Sequence, residues 1–113
     1  MKSRVSRRID MYKLNFFVPT SHKEEVKRAL FDMGVGRYEN YDCCSFETLG
    51  MGQFRPIDSA NPHIGSLGEL ERVEEYKIEM VCEDKLIKEA VKVLKETHPY
   101  EEVAYEVFKM EDF

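Results

Sequence analysis

The sequence predicts a small α/β (α+β) sandwich of βαββαβ order, in which an antiparallel sheet carries both helices on one face. Residues 12–18 and 72–82 alternate apolar and polar side chains with the period of a half-buried strand. Residues 21–33 and 84–97 repeat apolar side chains with the period of a helix. The halves 12–48 and 72–109 each read strand, helix, strand, and split units of this kind close into one antiparallel sheet.

In the first strand Tyr12, Leu14, Phe16 and Val18 share a face, and Pro19 ends the run. Ser21 and Glu24 have the spacing of a capping box at the start of the first helix. Val26, Ala29, Leu30 and Met33 form its buried stripe, with Lys23, Glu24, Lys27 and Arg28 turned elsewhere, and Gly34 and Gly36 stop it. A second extended region is expected over 38–48. Gly50 and Gly52 around Met51 predict a hairpin tip or bulge, with a returning strand through Phe54. Residues 56–69 hold two prolines and two glycines without periodicity and read as the longest loop. Tyr76, Ile78, Met80 and Cys82 mark the buried face of the next strand. Leu86, Ile87, Ala90, Val93 and Leu94 form the second helix stripe, with Asp84 as its expected cap. His98-Pro99 breaks that helix, and 103–109 supply the last strand. This ferredoxin-like arrangement leaves the far sheet face uncovered. Phe17, Tyr41, Phe46 and Phe108 are expected to make part of it apolar, and such a surface calls for a neighbouring subunit.

At 113 residues, with 42% hydrophobic and 35% charged residues, the chain fits one globular domain, taken as 12–113. Lys2, Arg4, Arg7 and Arg8 against Asp10 make the first ten residues +3 within a net charge of −5, leaving the remainder at −8. Residues 1–11 are therefore read as a basic, flexible leader, and Met11 offers a second candidate start. The acidic body disfavours nucleic acid. The apolar runs are too short for a membrane span, and the N-terminus lacks a signal-peptide core. Three cysteines, two of them adjacent, fit a reducing cytoplasm better than a disulfide framework.

The strings Gly50-Met51-Gly52-Gln53-Phe54-Arg55-Pro56 and His98-Pro99-Tyr100-Glu101-Glu102-Val103-Ala104-Tyr105 stand out, with Phe17-Val18-Pro19, Gly34-Val35-Gly36 and Ala60-Asn61-Pro62 beside them. Together they resemble the PII/CutA-like domain inserted in bacterial YqfO proteins, the NGG-interacting-factor-three-like family. The resemblance covers nearly everything from residue 12 onward. It implies a trimer, as in PII and CutA proteins, and CutA proteins share the His98-Pro99-Tyr100 motif. In that family the insert sits between two larger halves carrying a two-metal site. Neither half is represented here, so the chain reads as a free-standing insert and imports no hydrolase chemistry.

The candidate ligand-binding residues are Arg55, His63, His98, Tyr100 and Glu101, expected to build a cleft shared between subunits. A guanidinium clamps a carboxylate or phosphate, and an imidazole beside a carboxylate orients an anion or ligates an ion. A divalent ion is the one cofactor candidate, with His98, Cys44 and Glu101 as candidate ligands. Cys43 and Cys44, on a strand, would point to opposite faces and could not share an ion within one chain. Against these readings stand plainer ones: His98 caps helix carbonyls, Arg55 pairs with an acidic neighbour, and Cys82 is core. The sequence offers no Ser/His/Asp set and no carboxylate pair that compels acid–base work. The expected function is therefore a non-enzymatic regulatory or scaffold module, a homo-oligomer that binds a small molecule, ion or protein. A CutA-like divalent-metal binder is the second reading and an uncharacterised enzyme the third.

Overall fold

The computed structural model describes residues 10–113. The basic segment expected to form a leader lies outside them up to residue 9. Met11 itself is strand, paired with Glu83 on one side and Met110 on the other. Four strands, β1 (Met11–Pro19), β2 (Phe46–Phe54), β3 (Glu71–Glu83) and β4 (Tyr105–Met110), form one antiparallel sheet in the order β2-β3-β1-β4. Helices α1 (Lys23–Asp32) and α2 (Ile87–Thr97) pack on one face, as βαββαβ order requires. Leu14, Phe16 and Val18 of β1 meet Ile78, Met80 and Cys82 of β3, Val26 and Leu30 of α1, and Ala90 and Leu94 of α2 in one buried cluster. Among the described residues no helix is long and apolar enough to cross a membrane.

Local chemistry explains how α1 ends. Gly34, at φ +105°, donates to Phe31, and buried Val35 donates to Leu30. This is the left-handed glycine stop with its apolar clasp. The helix starts depart from expectation. Neither Ser21 nor Asp84 caps through its side chain, because each helix is entered by a 3-10 turn, Thr20–His22 or Asp84–Leu86. The Ser21 hydroxyl contacts His22 Nδ1 at 2.8 Å instead. Lys23 and Lys27 are not on a solvated face. Their ammonium groups reach the two oxygens of Glu47 at 2.7 and 3.0 Å, tying α1 to β2.

The largest correction concerns β2. The extended region expected over 38–48 is wound up to residue 45: Tyr38 and Tyr41 bridge each other, and Glu39 and Cys43 adopt positive φ. Cys43 and Cys44 therefore do not alternate along a strand. Gly50-Met51-Gly52 is no hairpin tip. It runs straight through β2, opposite Glu75, Glu74 and Val73. The connection to β3 is the 55–70 loop, closed at its neck by the Gly68 amide donating to the Pro56 carbonyl at 2.8 Å. The last strand begins two residues later than expected, at Tyr105.

The open face carries Phe17, Phe46, Phe108, Lys77 and Glu79, by register and by alternation with the buried set. Phe46 and Phe108 are more than half exposed. Asn15 lies among them, 5% exposed; its amide donates to Glu106 at 3.4 Å while its Oδ1 has no partner among the described residues.

Candidate functional site

The end of β2 and the start of β4 lie at the same end of the sheet, on opposite edges with β3 and β1 between them, and a cleft of about 440 Å³ opens there. One wall is the 53–64 stretch, including Phe54, Arg55, Pro56 and His63. The other is the segment between α2 and β4, including Tyr100, Glu101 and Ala104. Four of the five expected ligand-binding residues, Arg55, His63, Tyr100 and Glu101, thus line one cavity of a single chain. Glu101 holds the walls together, since its carboxylate accepts the Asn61 amide at 2.7 Å.

His98 stands behind this cleft rather than in it. The residue is 6% exposed. Nε2 lies 2.6 Å from the Phe17 carbonyl, and the Tyr100 amide donates to Nδ1 at 3.1 Å. That pairing fixes the neutral tautomer with the proton on Nε2 and uses both nitrogens. Burial pushes its pKa below the ordinary range, against the Phe17 hydrogen bond, and the nearby His22 and His63 push the same way as burial. So His98 caps α2 through its backbone, its amide donating to the Leu94 carbonyl at 3.0 Å, while its ring offers no lone pair to an ion. It locks Tyr100 in place, its ring centroid 4.9 Å from that of Tyr100. His63 and Phe54 also flank Tyr100, at 6.3 and 6.1 Å, and His22 meets His63 edge-on at 5.4 Å. All three histidines of the chain gather here, one from each side of the cleft and one from the turn before α1.

Sequence reasoning missed Glu75. It sits on the open face of β3 and lines the cleft as well as a shallow groove of about 430 Å³ over Thr48–Gly52. A side chain at Gly52 would strike it, because a Cβ there would run into the Glu75 carboxylate. The bare glycine lets that carboxylate lie down against β2 and meet the Tyr100 hydroxyl at 3.5 Å. Burial raises the Glu75 pKa, opposed by the Tyr100 hydroxyl. Burial and the Glu75 charge push the Tyr100 phenol to about 12, so it stays a donor.

Comparisons with known proteins fit this geometry. No protein-family model matches the chain. It is 40% identical over 99 residues to the GTP cyclohydrolase 1 type 2 homolog of Bacillus subtilis, covering 88% of this chain and 26% of that protein. The homolog of Halalkalibacterium halodurans is 41% identical over 100 residues, 88% of this chain and 27% of that one. The chain spans about a quarter of the length of these curated relatives. Among solved structures, a Bacillus cereus protein related to NIF3 superposes with a TM-score of 0.80 at 39% identity, over 95% of this chain and 27% of that one. The divalent ion tolerance protein CutA1 of Ehrlichia chaffeensis gives 0.69 at 12% identity, over 95% and 87% of the two chains, a likeness of fold alone. The fold is that of a PII/CutA-like domain.

The candidate metal ligands do not converge within this domain. Cys44 is half-buried and directs its thiol to the Asp42 carbonyl at 3.7 Å, Glu101 is bound to Asn61, and His98 is committed on both nitrogens. Among the described residues no group of three or more His, Cys, Asp and Glu side chains could hold a metal ion. Cys82 is core, its thiol pushed up to about 11 by burial.

Proposed function

We propose that this chain is a non-enzymatic regulatory or scaffold module of the NGG-interacting-factor-three-like kind. It works as a homo-oligomer, a trimer on the family resemblance, and takes a small ligand in the cleft between the 55–70 loop and the segment before β4. One observation carries the proposal: a single cavity gathers Arg55, His63, Tyr100 and Glu101, with apolar walls from Phe54, Pro56 and Ala104. Convergent polar groups in an apolar cleft are the usual mark of a small-molecule site. Self-association through the open sheet face is supported by the exposed rings of Phe46 and Phe108 and by the partnerless, buried Oδ1 of Asn15.

Saturation-transfer NMR with a mixture of small carboxylates, phosphates and amines tests the cleft, using the wild type and Arg55→Gln. Saturable binding by the wild type, weakened about tenfold or more in Arg55→Gln, is the expected result. Binding indifferent to Arg55, or no binding from any class, would overturn the reading.

A further inference from the structure

Two opposite charges line the cleft without a counter-ion. Among the described residues the Arg55 guanidinium forms no ion pair or hydrogen bond. Among the described residues Glu75, half-buried, meets only the Tyr100 hydroxyl, at 3.5 Å, and no cation. A carboxylate withdrawn from water without a cation is costly, and a ligand cation relieves that cost directly. The rings of Phe54, Tyr100 and His63 line the same cavity, and aromatic faces attract cations. The balance of charge points the same way. The lining holds Glu75, Glu101 and Glu102 against Arg55 alone, so a purely anionic ligand gains Arg55 but is opposed by three carboxylates. A purely cationic ligand leaves the guanidinium unmet.

From these unpaired groups we infer that the cleft takes a small zwitterion, a compound with both an ammonium and a carboxylate. Its ammonium lies against Glu75 and the ring of Tyr100, and its carboxylate is clamped by Arg55. The inference rests on the cleft being a ligand site and names the ligand class. Glu101, already bound to the Asn61 amide, shapes the site and leaves Glu75 as the acceptor of the ammonium.

Calorimetric titration with α,ω-amino acids from glycine to 6-aminohexanoate tests it, each beside the carboxylate and the amine that lack one of its two charges. The series scans the charge spacing. At least one zwitterion binds about tenfold or more tighter than both of its single-charge counterparts. In Glu75→Gln, a near-isosteric change, that zwitterion loses its advantage over the carboxylate while carboxylate binding persists. In Arg55→Gln it loses its advantage over the amine. Carboxylates that bind as tightly as zwitterions, with affinity unchanged in Glu75→Gln, would overturn the zwitterion while leaving the cleft intact. If none of the three classes binds, the cleft reading falls and the inference with it.

Discussion

His98→Ala separates an architectural imidazole from a ligating one. His98 is 6% exposed and its ring satisfies two backbone groups, the Phe17 carbonyl at 2.6 Å and the Tyr100 amide at 3.1 Å. Removing it leaves both without their partner, at about 1–3 kcal/mol each, before any loss of packing against Tyr100. Some water will enter, so the expected total is about 2–5 kcal/mol. At roughly 4 °C per kcal/mol for a chain of this size, thermal unfolding followed by circular dichroism should shift down by about 8–20 °C. His98→Asn can still accept the Tyr100 amide and should lose about half as much. The pH dependence gives a second reading. Burial holds the His98 pKa below the ordinary 6.5, so the unfolded chain takes up the proton first as pH falls. The stability tied to neutral His98 is complete above the unfolded value and declines below it until the folded value is passed. His98→Ala should flatten that part of the curve. A midpoint within about 0.5 kcal/mol of wild type, with the pH slope unchanged, would refute the reasoning.

Leu30→Ala and Leu94→Ala remove fully buried side chains from the two helix faces and should each cost about 2–5 kcal/mol; unchanged urea midpoints would show that the faces are wrongly assigned. Glu47→Gln should cost about 1 kcal/mol at pH 7, because hydrogen bonds from Lys23 and Lys27 hold the Glu47 carboxyl below its ordinary range. That contribution is present above the unfolded pKa and is lost as pH falls through the lowered folded value. Urea titrations of wild type and variant should therefore converge in acid, and a gap that persists there would contradict the ion pair. Light scattering at micromolar concentration should show a homo-oligomer that Phe108→Glu weakens; a stable wild-type monomer would remove the assembly claim.

Strands β1 and β3 were legible because each has one face against helices, so Leu14, Phe16 and Val18, and Ile78, Met80 and Cys82, recur with period two. The helix faces were legible for the same reason. β2 was not. It is an edge strand with most of both faces exposed, so burial imposes no alternation, and Gly50 and Gly52 imitate a turn. The helix caps misled because Ser21 and Asp84 sit in 3-10 turns that satisfy the first helical amides through the backbone. Within the cleft, Arg55, His63, Tyr100 and Glu101 showed themselves as polar residues in irregular segments. Glu75 did not, since one glutamate among alternating charges on a strand looks solvated. Only the register that sets β2 beside it, with Gly52 bare against its carboxylate, reveals its burial.

Amide chemical-shift mapping of the wild type with the same mixture of carboxylates, phosphates and amines tests the central claim most directly. Saturable shifts should gather at Arg55, at residues 60–64, at Glu75 and at residues 100–104, the two walls and floor of the cleft. Saturable shifts confined to Thr48–Gly52 on the open face, or none at all, would contradict the account.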